Sequence, residues 1–126
     1  MACSMQFSKA NRGREIKIMR WLETIKVQSA TGKEKTTENE LTILVREIRK
    51  NTDRQGLRAA TVSSHASVLG YFALRLFWDT DDLQARGSLL GMNLSQSLKI
   101  FGLVDHSVWI ECSKMKGGKK NVQEKK

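Results

Sequence analysis

Cations are the chemistry this sequence offers most of. Lys17, Arg20, Arg46, Arg49, Lys50, Arg54 and Arg58 fall in its first half, and Lys114, Lys116, Lys119 and Lys120 crowd its C-terminal end. Side chains of this type neutralise phosphates and release condensed counterions, so their density points to a polyanionic partner, either nucleic acid or an anionic membrane surface. The chain as a whole carries 22 Lys and Arg against 13 Asp and Glu, a formal net charge of +9. The excess is uneven: residues 1–56 hold 12 basic and 7 acidic residues, 57–105 hold 4 and 4, and 106–126 hold 6 and 2. Trp21, beside Arg20, could add base stacking to a phosphate contact, although a tryptophan in a small domain more often belongs to the core.

Catalysis has less to work with. His65 stands in "SSHAS" beside Ser63 and Ser64, but folds bring a nucleophile and its base together in space, and adjacency in sequence rarely does so. A surface or core histidine is the plainer reading. His106 follows Asp105 at an expected helix end and reads as a capping or solvent-exposed group. "DTDD" at 79–82 offers three carboxylates to a hard cation, without the Gly and terminal Glu of an EF-hand loop, and reads as helix termination and capping. "RGSLLG" lacks the Lys-Ser/Thr of a phosphate loop. Cys3 and Cys112 lie near opposite ends, with no C-x-x-C and no zinc-spaced histidines. The expectation is therefore a non-enzyme with no catalytic residues, metal, cofactor, small-molecule substrate or disulfide framework.

These cations need elements to position them. The 126 residues contain no proline, which leaves long helices uninterrupted. In "TENELTILVREIRKN", Thr37 and Glu40 have the spacing of a capping box, and Leu41, Leu44, Val45 and Ile48 recur at helical spacing, predicting a helix over 38–51. Arg46, Arg49 and Lys50 lie on its other faces and Arg54 follows its end; cations in a last turn also favour the helix dipole. Upstream, "GREIKIMRWLETIKVQSATG" puts Ile18, Leu22 and Ile25 on one helical face, with Lys17 and Arg20 elsewhere. Ile16/Ile18 and Ile25/Val27 also alternate as a strand would, and the length of the segment favours helix. From Leu57 to Trp78, Val68, Leu69, Phe72, Leu76 and Tyr71 gather on one broad face, predicting a central helix. The uninterrupted apolar runs there fall far short of the ~20 residues that span a bilayer. "DLQARGSLLGMNLSQSLKIFGLVD" reads as a short helix, a glycine turn and a last helix capped by Asn93. "HSVWIEC" alternates as a strand or an extended segment packing Trp109 onto the helices. "SKMKGGKKNVQEKK" has the composition of a disordered tail.

Within this stretch, "FALRLFWDTDDLQARGSLLGMNL" resembles the second-helix region of the RNA-binding domain of the influenza A nonstructural protein family, through Phe72, Arg75, Leu76, Asp79, Leu83 and the "RGS" and "LG" of 86–91. The resemblance covers less than a fifth of the chain. Where that family presents basic residues to RNA this sequence has Trp78 and Asp81, so no binding residue carries over.

Together these readings predict an all-α domain, a small bundle of four or five helices with at most one short C-terminal extended segment. Residues 1–12 would be a flexible arm, 13–112 the helical domain and 113–126 a disordered lysine-rich tail. The expected core is Leu22, Ile25, Leu41, Leu44, Val45, Ile48, Leu69, Phe72, Leu76, Leu94, Leu98 and Phe101. Phe77, Trp78 and Leu90 exceed what one core can hide and would form an apolar patch for a homodimer or partner interface. The expected function is non-enzymatic nucleic-acid binding through phosphate contacts with little sequence specificity, RNA ahead of DNA because no helix-turn-helix spacing occurs. The alternative is a protein-interaction or assembly module that self-associates or binds a protein partner, with an anionic membrane as a peripheral site of attachment. With no apolar leader run, and with two cysteines whose positions indicate no disulfide framework and so fit a reducing compartment, the expected location is the cytoplasm or nucleus.

Overall fold

A computed structural model describes residues 18–51 and 56–112. They form strand β1 (Met19–Ser29), helix α1 (Glu34–Lys50), strands β2 (Leu57–Ser64) and β3 (Tyr71–Thr80), helix α2 (Leu89–Leu98) and strand β4 (Gly102–Ile110). The strands make one antiparallel sheet in the order β2-β3-β1-β4. Each helix links two strands that flank a third, the split βαβ arrangement called ferredoxin-like.

The fold is mixed α/β, with two helices and a four-stranded sheet, and it overturns the expected all-α helical bundle. Two segments account for the difference. In β1 the residues facing the helices are Met19, Trp21, Glu23, Ile25, Val27 and Ser29, all buried. Their period is two, the signature of a strand with one covered face. The carboxylate of Glu23 in the middle of this series hides the alternation from a hydrophobicity reading. In β3 the inward set Phe72, Leu74, Leu76 and Trp78 is strictly alternate, but three of the five outward residues, Tyr71, Ala73 and Phe77, are also apolar or aromatic, with Arg75 and Asp79 the exceptions. A central strand of this kind presents an apolar run from Tyr71 to Trp78 broken only by Arg75, which mimics a broad helical face.

One core lies between the helices and the sheet. Ile25, Val27, Leu74 and Leu76 meet Leu41, Val45 and Ile48 of α1 and Leu94 and Leu98 of α2, with Leu44, Leu90 and Phe101 packed at its margin. Trp21 and Trp78 are cross-strand partners, stacked with ring centroids 5.5 Å apart and planes 15° apart. Leu69, expected inside, is 79% exposed in the turn between β2 and β3.

α1 has the expected type but begins earlier, after Lys33, so Thr37 is not its cap. Thr37 is a buried helical residue whose Oγ1 donates to the Lys33 carbonyl and meets Ser29 Oγ at 3.1 Å, tying the helix to the end of β1. Likewise α2 is capped by Ser88, whose side chain accepts from the Gly91 N–H, and Asn93 lies within the helix. "HSVWI" does lie in a strand, which also takes in Gly102–Asp105 from the expected last helix, but Trp109 is 58% exposed and points away from the helices. Cys112 is disulfide-bonded, against the expectation drawn from the cysteine spacing. No helix among the described residues is long and apolar enough to cross a membrane.

Leu74 is fully buried at mid-strand in the centre of this core. Leu74→Ala is expected to lower the unfolding free energy by about 2–5 kcal/mol, read as a lower denaturant midpoint with an unchanged slope.

Candidate nucleic-acid interface

Both helices pack into one core on one side of the sheet, so among the described residues no element covers the other side. This open face collects the outward residue of each pleat. The register aligns Ala59 of β2, Phe77 of β3, Leu22 of β1 and Trp109 of β4 in a row across all four strands. Two residues along, about 7 Å away, the next row is Thr61, Arg75, Thr24 and Ser107, and after it come Ser63, Ala73, Lys26 and Asp105. On the other side of the aromatic row Arg20 pairs with Asp79 in register.

The cations on this face form two groups. Arg58, at a bulge in β2, donates from Nε to Asp79 Oδ1 at 3.0 Å, and its guanidinium stands over the Phe77 ring at 5.8 Å. Arg20 Nε lies 3.4 Å from the same Oδ1 atom, so one carboxylate serves two guanidiniums. Across the aromatic row, Arg75 donates to Ser63 Oγ at 3.2 Å, and neither Arg75 nor Lys26 makes an ion pair among the described residues. Exposed ion pairs of the Asp79 kind contribute little to stability, so phosphate can compete for both arginines at small cost.

The residues singled out from sequence are thereby separated. Arg20 and Arg58 come together on the open face. Arg46, Arg49 and Lys50 are exposed on α1, on the helical side of the molecule. Arg49 Nε donates to the Ala60 carbonyl at 2.9 Å, which shields part of the outer edge of β2. Lys17, Arg54, Lys114, Lys116, Lys119 and Lys120 lie outside the described residues, as do the arm 1–12 and the tail 113–126. Of the proposed partner patch, Trp78 is buried, Leu90 is half-buried against the core and Phe77 alone belongs to the open face. Sequence reasoning missed Lys26, Arg75 and the exposed side of Trp109. The signal was the phase of the alternation in "YFALRLFW", where every second residue from Tyr71 faces outward.

A second polar constellation is closed. Glu23 is fully buried, and its carboxylate accepts from Trp78 Nε1 at 2.9 Å, Ser88 N–H at 2.8 Å and Ser88 Oγ at 2.6 Å. His106 Nε2 lies 2.9 Å from Glu23 Oε2, so this histidine is an internal partner, where a cap or solvent-exposed group was expected. The glycines of "RGSLLG" make room for it: a Cβ at Gly91 would strike the carboxylate, and Gly87, at φ +110°, would strike both His106 and Glu23. With its lone pairs taken by donors, Glu23 is a structural anchor and offers no base to a substrate. His65 is also occupied, its Nδ1 accepting from the Ser67 and Val68 N–H groups at 3.0 and 3.1 Å, and no hydrogen bond joins it to Ser63 or Ser64. Among the described residues no three His, Cys, Asp or Glu side chains gather to hold a metal ion.

Comparison of the chain with protein-family models, with curated proteins and with solved structures returns no match.

Glu23→Ala leaves four donors facing a void and is expected to cost about 3–5 kcal/mol of stability in denaturant unfolding. Gly91→Ala, which adds one methyl group against the same carboxylate, should also destabilise; wild-type stability in both variants would remove Glu23 from its anchoring role.

Proposed function

We propose that this protein binds single-stranded nucleic acid, RNA foremost, on the open face of its sheet and performs no catalysis there. The observation that carries the reading is the row Phe77, Leu22 and Trp109, covered by no helix or strand among the described residues and bracketed by Arg20 and Arg58 on one side and by Arg75 and Lys26 on the other. Aromatic rings on a sheet surface stack unpaired bases, and flanking cations meet the phosphates between them. RNA-recognition modules built on four-stranded sheets hold single strands by this scheme. Likeness of fold alone does not carry function, so the argument rests on the side chains. A duplex keeps its bases stacked inside and offers them to no ring, so the same face favours single strands.

A second reading, self-association, draws on β4. It is an edge strand whose Leu103 is 77% exposed and whose Trp109 is 58% exposed, and among the described residues no side chain guards its edge as Arg49 guards β2. A second copy could pair along it and form a homodimer. A monomer mass that does not change with concentration would dispose of this reading.

Fluorescence anisotropy with single-stranded RNA, single-stranded DNA and duplexes tests the main proposal. Phe77→Ala and Trp109→Ala should each weaken single-strand binding by about 5- to 140-fold, the equivalent of ~1–3 kcal/mol of base stacking. With two to four phosphates met by Arg20, Lys26, Arg58 and Arg75, affinity should fall about 7- to 50-fold between ~50 and ~200 mM salt. Arg46→Ala with Lys50→Ala on α1 should cost far less. Equal binding of duplexes, or no loss in the two ring variants, would overturn the assignment. Binding to anionic vesicles in place of RNA would favour the membrane-surface alternative.

A further inference from the structure

The open face ends, beside the β2–β3 turn, in a cleft of about 350 Å³ bordered by Lys26, Ser63, His65, Tyr71, Ala73 and Arg75. Its size is that of a small-ligand site, and its polar groups are almost all donors. Lys26 contributes an ammonium, Arg75 a guanidinium already oriented by Ser63 Oγ, and Tyr71 and Ser63 their hydroxyls. His65 belongs to the same set. Because its Nδ1 accepts two backbone N–H groups, its neutral ring carries the proton on Nε2, which has no partner among the described residues. The ring is stacked on Tyr71, with centroids 5.5 Å apart and planes 18° apart, which fixes its orientation. No carboxylate lines the cleft; the nearest in register, Asp105, is paired with Lys26 from β4, on the side of β1 away from it.

Donors converging from β1, β2 and β3, with no acceptor side chain of fixed negative charge among them, describe an anion site. We infer that this cleft binds a phosphomonoester, the terminal phosphate of a strand lying on the sheet or the phosphate of a free mononucleotide. A phosphomonoester carries ~1.5–2 negative charges and three strong acceptor oxygens, whereas an internal phosphodiester carries one charge. Two cations and three neutral donors match the former better. The position matches too, since the turn at residues 65–70 borders the cleft and a strand crossing the aromatic row would reach it at one end. As a strand-end site, the assignment rests on the nucleic-acid reading of the open face; as a mononucleotide site it does not.

The experiment compares one short RNA, about ten nucleotides long, carrying a 5′-phosphate, a 3′-phosphate or hydroxyls at both ends, alongside adenosine 5′-monophosphate as a free probe in calorimetry. A phosphate at one of the two ends should tighten binding by about tenfold or more, as expected for charge-assisted hydrogen bonds to a dianion. Lys26→Ala with Arg75→Ala should abolish that gain, whereas Arg46→Ala with Lys50→Ala, which removes the same charge from α1, should keep it. His65→Ala, outside the strands, should reduce it, and thermal melts establish that each variant is folded. If strands bind but neither terminal phosphate matters, the cleft assignment is overturned and the open-face reading stands. If adenosine monophosphate binds and the Lys26/Arg75 variant loses it while no strand binds, the cleft stands and the nucleic-acid reading falls. If neither strands nor the mononucleotide bind, both fall.

Discussion

A carboxylate with no access to solvent holds this molecule in register. Glu23 sits near the middle of β1, one of the two strands with a neighbour on either side, and its two oxygens reach Trp78 on β3, His106 on β4 and Ser88 at the start of α2. Burying such a group unpaired would cost several kcal/mol, so the donors must all be in place before the charge is tolerable. The requirement propagates outward. Ser88 must present both its N–H and its hydroxyl, so α2 must begin there; Gly87 and Gly91 must lack side chains, so the carboxylate can approach the helix start. A helix N-terminus also favours the negative charge that it meets. A one-residue slip of β1 would point Glu23 to the open face and leave Ser88, Trp78 and His106 without their acceptor, so this polar contact specifies register more sharply than the apolar contacts around it.

Fixing the register of β1 also fixes what the opposite face displays. Side chains alternate across a strand, so with Trp21, Glu23 and Ile25 turned inward, Arg20, Leu22, Thr24 and Lys26 must turn outward. The stacked pair Trp21 and Trp78 spends two tryptophans on the core, where each ring N–H has a partner: Thr80 for Trp21 and Glu23 for Trp78. Trp109 is left to the open face, with its N–H on Ser107 of its own strand. The aromatic row and the cations beside it are thus the far side of the same pleat that builds the core. The cations of α1 answer a different constraint, lying opposite the buried stripe of Leu41, Val45 and Ile48, with Arg49 reaching back only to the edge of β2.

Local periodicity made α1 legible from the sequence, because Leu41, Leu44, Val45 and Ile48 satisfy a helical repeat and no alternation competes with it. β4 was legible only in its second half, where "HSVWI" alternates over a short span; Gly102–Asp105, read with the last helix, belong to the same strand. The two central strands were not. β1 carries a charged residue at a core position, and only a tertiary arrangement of four donors makes that position inward. β3 is apolar throughout its inward face and, at Tyr71, Ala73 and Phe77, on much of its outward face as well, so only Arg75 marks the alternation between Tyr71 and Trp78. Misreading β3 as a helix also dispersed the site, since Arg75 and Phe77, two apart, share a face of a strand and not of a helix. The cationic character was visible in the composition, but grouping Arg20 with Arg58 required the pairing of β1 and β2 on either side of β3.

Charge density and binding geometry therefore separate in this protein. The formal excess of +9 suggests a polyanion binder whose affinity comes from many phosphates, yet among the described residues the open face brings four cations together and engages two of them with Asp79. On the proposed nucleic-acid reading, a surface of that kind would draw limited affinity from counterion release and would take the rest from contact with bases. Phe77 and Trp109 can supply it, because a ring packed on a sheet loses little freedom when a base lies on it, whereas a lysine on a flexible stem must be ordered at each encounter. The guanidinium of Arg58 over Phe77 leaves that ring half-covered in the free protein. A strand entering this face would exchange the cation on one ring for a base, and the displaced Arg58 would be free to meet the phosphate that follows.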